Sequence, residues 1–513
     1  MIKFDPVIPK LKGAYIVGGS IRDLLLGRSP SDYDIVVLES PDKYACNLAK
    51  RCSGHVVKIG KQNQTIFRVI AESTIFDISA IEAKTIEDDL AKRDFTINAI
   101  GYDLFSGKII DLFEGIKDLS IKKIRMVSKE IFKKDPVRLI RAYRIATMLD
   151  FEIESETAHV LVNNVKLITK AAGERIKAEL FKIFSYPKSY DYIHQMYETG
   201  LLFEIFPELT ALQGCKQNKH HAYDVLDHSL NAFSQLEILL NEKKFNTGSM
   251  SLTIPDMDKE RSALLKYSIL LHDIGKPFTL TVGDGGNIHF FGHDIIGAEM
   301  AKRVSKRLKL SNIESDYIDF IIRNHIAALN LYNSGDKDSL SKRSLTRFFI
   351  KCGDMTPDIL FHTIADIKGK ANKDKRNEDF LSFASYILNE FFSVYKVKKT
   401  EPRLITGNDL IVLFTKPAAH YSVFCNLPVE YNFNNYIKLY VGFFQRFIKF
   451  DCLILIPGKT VKKPAIFTIR LFHAVQYHRN RNFIGYQITL VYICLGFCAE
   501  FGSFRDVFAK YCT

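Results

Sequence analysis

No two of the nine cysteines in this 513-residue chain stand as Cys-x-x-Cys. That spacing is what a zinc knuckle or a redox motif uses, so neither is expected, and neither is a disulfide framework. Cys494 and Cys498 lie four apart, but no two further ligands accompany them and they read as packed thiols rather than a zinc site. The opening Met-Ile-Lys-Phe-Asp-Pro lacks an apolar signal core, which leads to the expectation of a reducing, cytoplasmic setting. No internal repeat is visible, so a repeat array is not expected. Acidic residues are in deficit, leaving a formal charge of +13 that suits a polyanionic partner. The surplus is uneven: residues 412–513 carry 12 Lys and Arg against 4 Asp and Glu, +8 of the total. An apolar content of 47% excludes disorder and can fill the cores of about three or four domains.

Against these absences stands one dense segment. Residues 18–37 read Gly-Gly-Ser-Ile-Arg-Asp-Leu-Leu-Leu-Gly-Arg-Ser-Pro-Ser-Asp-Tyr-Asp-Ile-Val-Val. Asp32 and Asp34 lead into a β-branched run that reads as a buried strand, and period-2 geometry points both carboxylates to one face. Two convergent oxygen ligands are what a Mg²⁺ pair needs at a triphosphate. Gly18 and Gly19 let backbone amides approach phosphate, the helix over 20–26 adds its positive N-terminus, and Arg22 faces the triphosphate. An isolated Asp-x-Asp is more often a solvated loop; the full ordered string is far more specific.

This string resembles the class II tRNA nucleotidyltransferases, the bacterial group of CCA-adding enzymes and poly(A) polymerases, departing only at Ser20 and Ile21. The resemblance spans residues 10–411. Residues 93–100, Arg-Asp-Phe-Thr-Ile-Asn-Ala-Ile, are similar to the family's second motif, with Arg93 a second triphosphate clamp and Asp94 a salt-bridge partner. Residues 111–119 resemble its third motif, a turn at Gly115 flanked by acids. Asp77 offers either a third carboxylate beside the metals or a solvent-facing strand residue.

Asp135, Arg138 and Arg141 fall on one helix face at three-residue steps. The resemblance implies that Asp135 and Arg138 form a protein template that reads the Watson–Crick edge of the incoming nucleotide. Cytosine and adenine both present an amino donor beside a ring-nitrogen acceptor; uracil and guanine present the reverse and leave buried groups unpaired. Arg141 and Arg144 then reach phosphates. The alternative is a helix-capping Asp with solvated arginines. Lys134 departs from the family, where an acid usually precedes the Asp. Residues 173–180 resemble the helix that closes head and neck, with Arg175 and Glu179 as an i, i+4 pair in a structural role.

His228, His272, Asp273, His293, His325 and Asp366 are spread through a stretch read as wholly helical. Leu270-Leu-His-Asp-Ile-Gly-Lys-Pro277 with Phe290-Phe-Gly-His-Asp294 resembles the HD phosphohydrolases, which implies a mixed nitrogen and oxygen shell for Mg²⁺, Mn²⁺, Fe²⁺ or Ni²⁺. His289, His293 and His325 fit auxiliary ligand or phosphate-contact positions. The alternative is an inactive scaffold.

Residues 402–411 resemble the start of the family's last tRNA-contacting helices, and residues 246–255 read as a flexible insertion. Residues 412–513 hold 22 of the 62 aromatics, which fit base stacking, a core or an altered reading frame. The uncharged run 482–499 raises a membrane helix, but its Gln, Thr, Tyr and Gly weaken that reading.

The expected fold class is α+β: an α/β head over 1–130, an all-α neck over 131–212, an HD-type domain over 213–400 and an unassigned C-terminal region over 401–513. The resemblance implies that two Mg²⁺ ions at Asp32 and Asp34 activate the 3′-hydroxyl of tRNA for attack on CTP or ATP. Poly(A) addition, or CC-only or A-only addition, is the alternative within the class; residues 61–69 lack the basic run that would mark a poly(A) polymerase. From another class, the chain would be a phosphohydrolase whose head only binds nucleotide or RNA. No stable protein partner and no membrane are expected.

Overall fold

The computed structural model describes residues 7–397, apart from short segments at 61–64, 73, 82, 218–222, 243, 248–249, 254–256, 335–340 and 371–374, and then 449–452, 467–475 and 488–493. Residues 1–404 and 405–513 are separate compact units.

The first unit opens with β1 (Ala14–Val17), α1 (Gly19–Leu25), β2 (Asp32–Val37), α2 (Pro41–Arg51), β3 (His55–Ile59), β4 (Ile66–Ala71), β5 (Thr74–Ala80), α3 (Ile86–Leu90), β6 (Ile100–Asp103) and β7 (Ile109–Asp111). They form one seven-stranded sheet in the order β3-β4-β5-β2-β1-β6-β7, parallel only between β2 and β5. Alternation sorts the faces of β2. Tyr33, Ile35 and Val37 enter the main core, where Tyr33 stacks on Phe76, while Val36 joins Val17, Ile86 and Leu90 in a small cluster on the other face. Asp32 and Asp34 therefore share the face covered by α3.

Next come α4 (Gly115–Ser120), β8 (Lys123–Ile124), α5 (Ile131–Lys134), α6 (Arg138–Leu149), β9 (Glu152–Ile153), α7 (Ser155–Val162), α8 (Gly173–Phe184), α9 (Ser189–Glu198) and α10 (Leu201–Ile205). Asp111 accepts from the amides of Gly115 and Ile116 (2.8 and 2.9 Å), so the third motif caps α4. A Cβ on Gly115 would lie 2.3 Å from the Thr96 carbonyl, which requires glycine there.

Then α11 (Val225–Glu242), β10 (Lys244–Thr247), β11 (Met250–Thr253), α12 (Lys259–Leu271), α13 (Lys276–Thr279), β12 (Thr281–Val282), β13 (Ile288–His289), α14 (His293–Arg307), α15 (Asn312–Asn324), α16 (Ala327–Ser334), α17 (Lys342–Cys352), α18 (Thr356–Lys368) and α19 (Lys375–Glu390) complete the unit. Lys266, buried on α12, donates to Glu237 of α11 and to Ser189 of α9, which locks neck to HD helices. One apolar core runs from Ile8 to Phe391.

Three expectations need correction. Asp135 does not share the helix of Arg138 and Arg141: it is the extended residue between α5 and α6, because Pro136 follows it and disfavours helical backbone there. The segment read as a flexible insertion contributes to an antiparallel hairpin, with Lys244 opposite Thr253. The stretch read as wholly helical is interrupted by that hairpin and by β12–β13, where glycines 283, 285 and 286 turn the chain.

In the second unit β14 (Lys449–Cys452), β15 (Phe467–Val475) and β16 (Ile488–Ile493) form an antiparallel sheet. β16 lies inside the uncharged run, so these six residues are strand. Cys494, Cys498 and residues 402–411 lie outside the described residues. Among the described residues no helix is long and apolar enough to cross a membrane.

Candidate active site and candidate metal centre

At the head, β2 carries Asp32 exposed and Asp34 half-buried, and Asp34 lies beside Asp77 of β5 in the parallel register. Among the described residues neither Asp32 nor Asp34 is ion-paired, which leaves two hard oxygen donors on one face and fits a divalent metal. Burial pushes the Asp34 carboxyl up, with Asp32 and Asp77 adding to the rise and Arg93 and Arg141 opposing it. Ser20, one of the two departures from the family string, fixes this geometry: its buried hydroxyl donates to the Asp32 carbonyl (3.1 Å) and accepts from the Asp34 amide (2.9 Å). Gly18 sits at φ 72°, and a Cβ there would lie 2.7 Å from Arg93 Nη1 and 3.2 Å from Asp34 Oδ2. Gly18, Arg93 and Asp34 thus converge. Asp77 is not solvent-facing: both its oxygens accept from Arg68 at 2.8 Å, beside Asp34.

The arginines divide into two layers. Arg93 is steadied by Asp89 (3.2 Å) and points at Gly18. Arg22 is buried against Asp23 and the Asn98 side chain (2.8 Å each), beneath the site rather than open to it. Asn98 in turn donates to buried Asp94 (3.0 Å), which pairs with Arg141 (2.7 Å). Burial alone would raise the Asp94 carboxyl, but Arg141, Asn98 and the Phe95 amide together hold it below the usual range. Arg144 pairs with Glu179 of α8 instead of facing phosphate. The expected Arg175–Glu179 pair is therefore replaced: Arg175 grips Asp135 through two bonds (3.0 and 2.7 Å). A guanidinium fork fits a carboxylate edge better than an i+4 side chain already taken by another arginine. Arg138 donates through Nη2 to the Lys92 carbonyl (2.9 Å), while its buried Nη1 has no hydrogen-bond partner among the described residues.

In the HD region all six anticipated residues meet. His228 Nε2 lies 2.7 Å from Asp366 Oδ1 and 3.7 Å from Asp273 Oδ2; His272 Nε2 lies 3.1 Å from Asp273 Oδ2. On the far side of Asp273, His293 Nε2 lies 3.6 Å from Oδ1 and 3.2 Å from His325 Nε2. Ligand atoms of His228, His272 and Asp273 fall within 4.8 Å of one another, as do those of Asp273, His293 and His325. Asp273 Oδ2 is ion-paired with Lys276 Nζ at 2.6 Å, whereas the buried Oδ1 has no hydrogen-bond partner among the described residues. A buried unpaired carboxylate oxygen among converging imidazoles fits a divalent metal. Despite its burial, the His272 ring is pushed up to about 9 by Asp273 and Asp366, whereas burial and the rings of His272 and His293 press His325 down to about 3. Each ring is oriented from behind, His272, His293 and His325 bonding through Nδ1 to the carbonyls of Ile269, Phe290 and Ile322. His362 was missed: buried 5.1 Å from the His272 ring, it stands one helical turn before Asp366, a spacing visible in the sequence. His289 stacks on Phe291 instead of joining the ligands.

A carboxylate pair on a small mixed sheet beside a glycine turn and arginines defines a nucleotidyltransferase. Comparison with known proteins agrees. Residues 14–125 match the poly A polymerase head domain, residues 150–213 the probable RNA and SrmB-binding site of polymerase A, and residues 225–347 the HD domain. The chain is 31% identical over 418 residues to the A-adding tRNA nucleotidyltransferase of Deinococcus radiodurans, covering 80% of this chain and 88% of that protein. It is 26% identical to the CC-adding tRNA nucleotidyltransferase of Thermus thermophilus, covering 78% and 85%. Among solved structures, a tRNA-processing enzyme in an apo form shares the fold at a TM-score of 0.54 and 19% identity, over 78% of this chain and 90% of that one. A CCA-adding enzyme solved with ATP does so at 0.52 and 22%, over 76% and 82%. The chain belongs to the tRNA nucleotidyltransferase and poly(A) polymerase family, a divalent-metal-dependent class of enzymes.

Proposed function

We propose that the head adds CMP and AMP, without a nucleic-acid template, to the 3′ end of tRNA. The observation that carries this reading is the convergence of Gly18, Arg93 and the Ser20-clamped pair Asp32 and Asp34 on one face of the sheet. Mg²⁺ held by Asp32 and Asp34 supplies charge neutralisation at the triphosphate when bound. Gly18 and Gly19 admit the phosphates to the backbone and Arg93 clamps them. Arg141, half-exposed, reaches toward the same phosphates, while Arg22 and Arg144 support this layer from beneath. The RNA 3′-oxygen bonds to the α-phosphorus and pyrophosphate leaves. Asp135 and Arg138 select the base, and Asp77 with Arg68 borders the carboxylates. The basic residues and the 150–213 match support binding of a polyanionic tRNA. Cysteine spacing supports a cytoplasmic setting.

The HD cluster is a second centre in which His228, His272, Asp273 and Asp366, with His293 and His325, hold a divalent metal. The clustering of these ligand atoms within 4.8 Å, with buried Asp273 Oδ1 unpaired among the described residues, favours this reading. The mixed imidazole and carboxylate shell suits Fe²⁺, Ni²⁺ or Mn²⁺ better than Mg²⁺, which prefers oxygen donors, and such a metal activates water against a phosphoester.

The test is to incubate the protein with tRNA ending at the discriminator base and, separately, with tRNA ending in CC, offering CTP, ATP or both, and to sequence the products. CCA ends support full addition; CC or A ends alone assign a partial enzyme; long A tracts assign poly(A) addition. No extension of any substrate would overturn the reading.

A further inference from the structure

Both oxygens of Asp135 are held from the neck. Arg175 on α8, forty residues further along the chain, donates to Oδ1 at 3.0 Å and to Oδ2 at 2.7 Å. The Val137 amide adds a bond to Oδ1 at 3.3 Å. Although Arg175 is itself exposed, a planar fork on both oxygens restrains rotation about the Asp135 Cβ–Cγ bond, so the lone pair left on Oδ2 keeps its direction. Burial alone would raise Asp135, yet Arg175, the Val137 amide and Arg138 hold the carboxyl below its usual range, an acceptor with no proton to give. The preceding residue, Lys134, is an exposed cation, so no carboxylate at that position competes for the fork. Arg138 is fixed by the Lys92 carbonyl and leaves its buried Nη1 without a partner. An acceptor edge and a donor are therefore each aimed by a second group.

We propose that Arg175 is a positioning residue for base selection: by fixing the plane of Asp135 it makes that carboxylate reject bases presenting a carbonyl. This rests on the template reading of Asp135 and Arg138. A base with an amino group beside a ring-nitrogen acceptor satisfies the fixed pair. A base with the reverse pattern sets oxygen against oxygen and donor against donor. Without the fork Asp135 rotates away from the clash, so discrimination falls while Asp32 and Asp34 remain able to perform the transfer.

The experiment uses the full chain as Arg175→Ala and Arg175→Lys, with tRNA ending at the discriminator base and CTP, ATP, UTP or GTP supplied singly. Equilibrium binding of CTP and UTP and thermal denaturation are measured in parallel. The preference for CTP over UTP in kcat/KM and in binding should fall about tenfold in both variants, lysine failing to rescue because it keeps charge but not the fork. Wild-type preference in Arg175→Lys, or an equal loss for all four nucleotides, would overturn the proposal in favour of a structural role. Asp135→Asn and Arg138→Ala separate the two claims. Wild-type preference in these variants would remove the template itself, whereas its loss there with intact preference in both Arg175 variants would remove only the positioning role.

Discussion

Ser20 and Asp34 are joined by a 2.9 Å hydrogen bond from the Asp34 amide to the Ser20 hydroxyl, which also donates to the Asp32 carbonyl. The helix that follows the glycine turn and the strand that bears the carboxylates are thereby one piece, so the phosphate-facing backbone and the acidic pair keep a fixed separation. Ser20→Ala should cost about 1–2 kcal/mol of stability, the scale of a buried hydrogen bond left half-made. It should also lower kcat about tenfold with little change in nucleotide KM. Urea denaturation and steady-state addition of CMP measure the two effects; an unchanged kcat would show that the clamp does not position the carboxylates.

Asp94 ties the second motif to the template helix through Arg141 and Asn98. Its carboxyl is depressed in the folded state, so the stability it contributes is fully present above the unfolded value near 3.8 and is lost as pH falls through that value toward the folded one. Asp94→Asn should cost about 2 kcal/mol at neutral pH and flatten the acid limb of the stability profile. Denaturation midpoints between pH 3 and 7 check this, and parallel profiles for both proteins would contradict it.

Metal binding at the HD cluster is separable from the head. In protein carrying Asp32→Ala and Asp34→Ala, stripped with EDTA, adding Mn²⁺ or Ni²⁺ to about a hundred times its dissociation constant should stabilise the fold by about 3 kcal/mol. His272→Ala should abolish that shift in thermal denaturation. A shift that survives this substitution would place the metal elsewhere.

Much of the head was legible because its chemistry is local. Gly18, Gly19, Asp32 and Asp34 lie within one turn, helix and strand, and the alternation of Tyr33, Ile35 and Val37 fixes which way the acids face. The HD ligands were legible by type and order, and the fold brought all six together. What stayed hidden depended on partners far along the chain. Arg22 and Arg144 are basic in sequence and look phosphate-seeking, yet Asn98 and Glu179 claim them, since a buried guanidinium must be paired. Arg175, which is exposed, bypasses its i+4 neighbour because Arg144 already holds Glu179, and Asp135 offers a free carboxylate edge to the fork. Hairpin β10–β11 was missed because Thr, Asn, Ser and Gly read as linker when pairing across a turn is not considered.

The central claim is tested most directly by single-turnover addition of CMP to tRNA ending at the discriminator base, comparing the wild type with Asp34→Ala. Binding of the same tRNA is measured alongside. The carboxylate assignment predicts a loss of roughly three orders of magnitude in rate, the scale of several kcal/mol of charge stabilisation, with tRNA affinity nearly unchanged. Near wild-type turnover in the variant would contradict it.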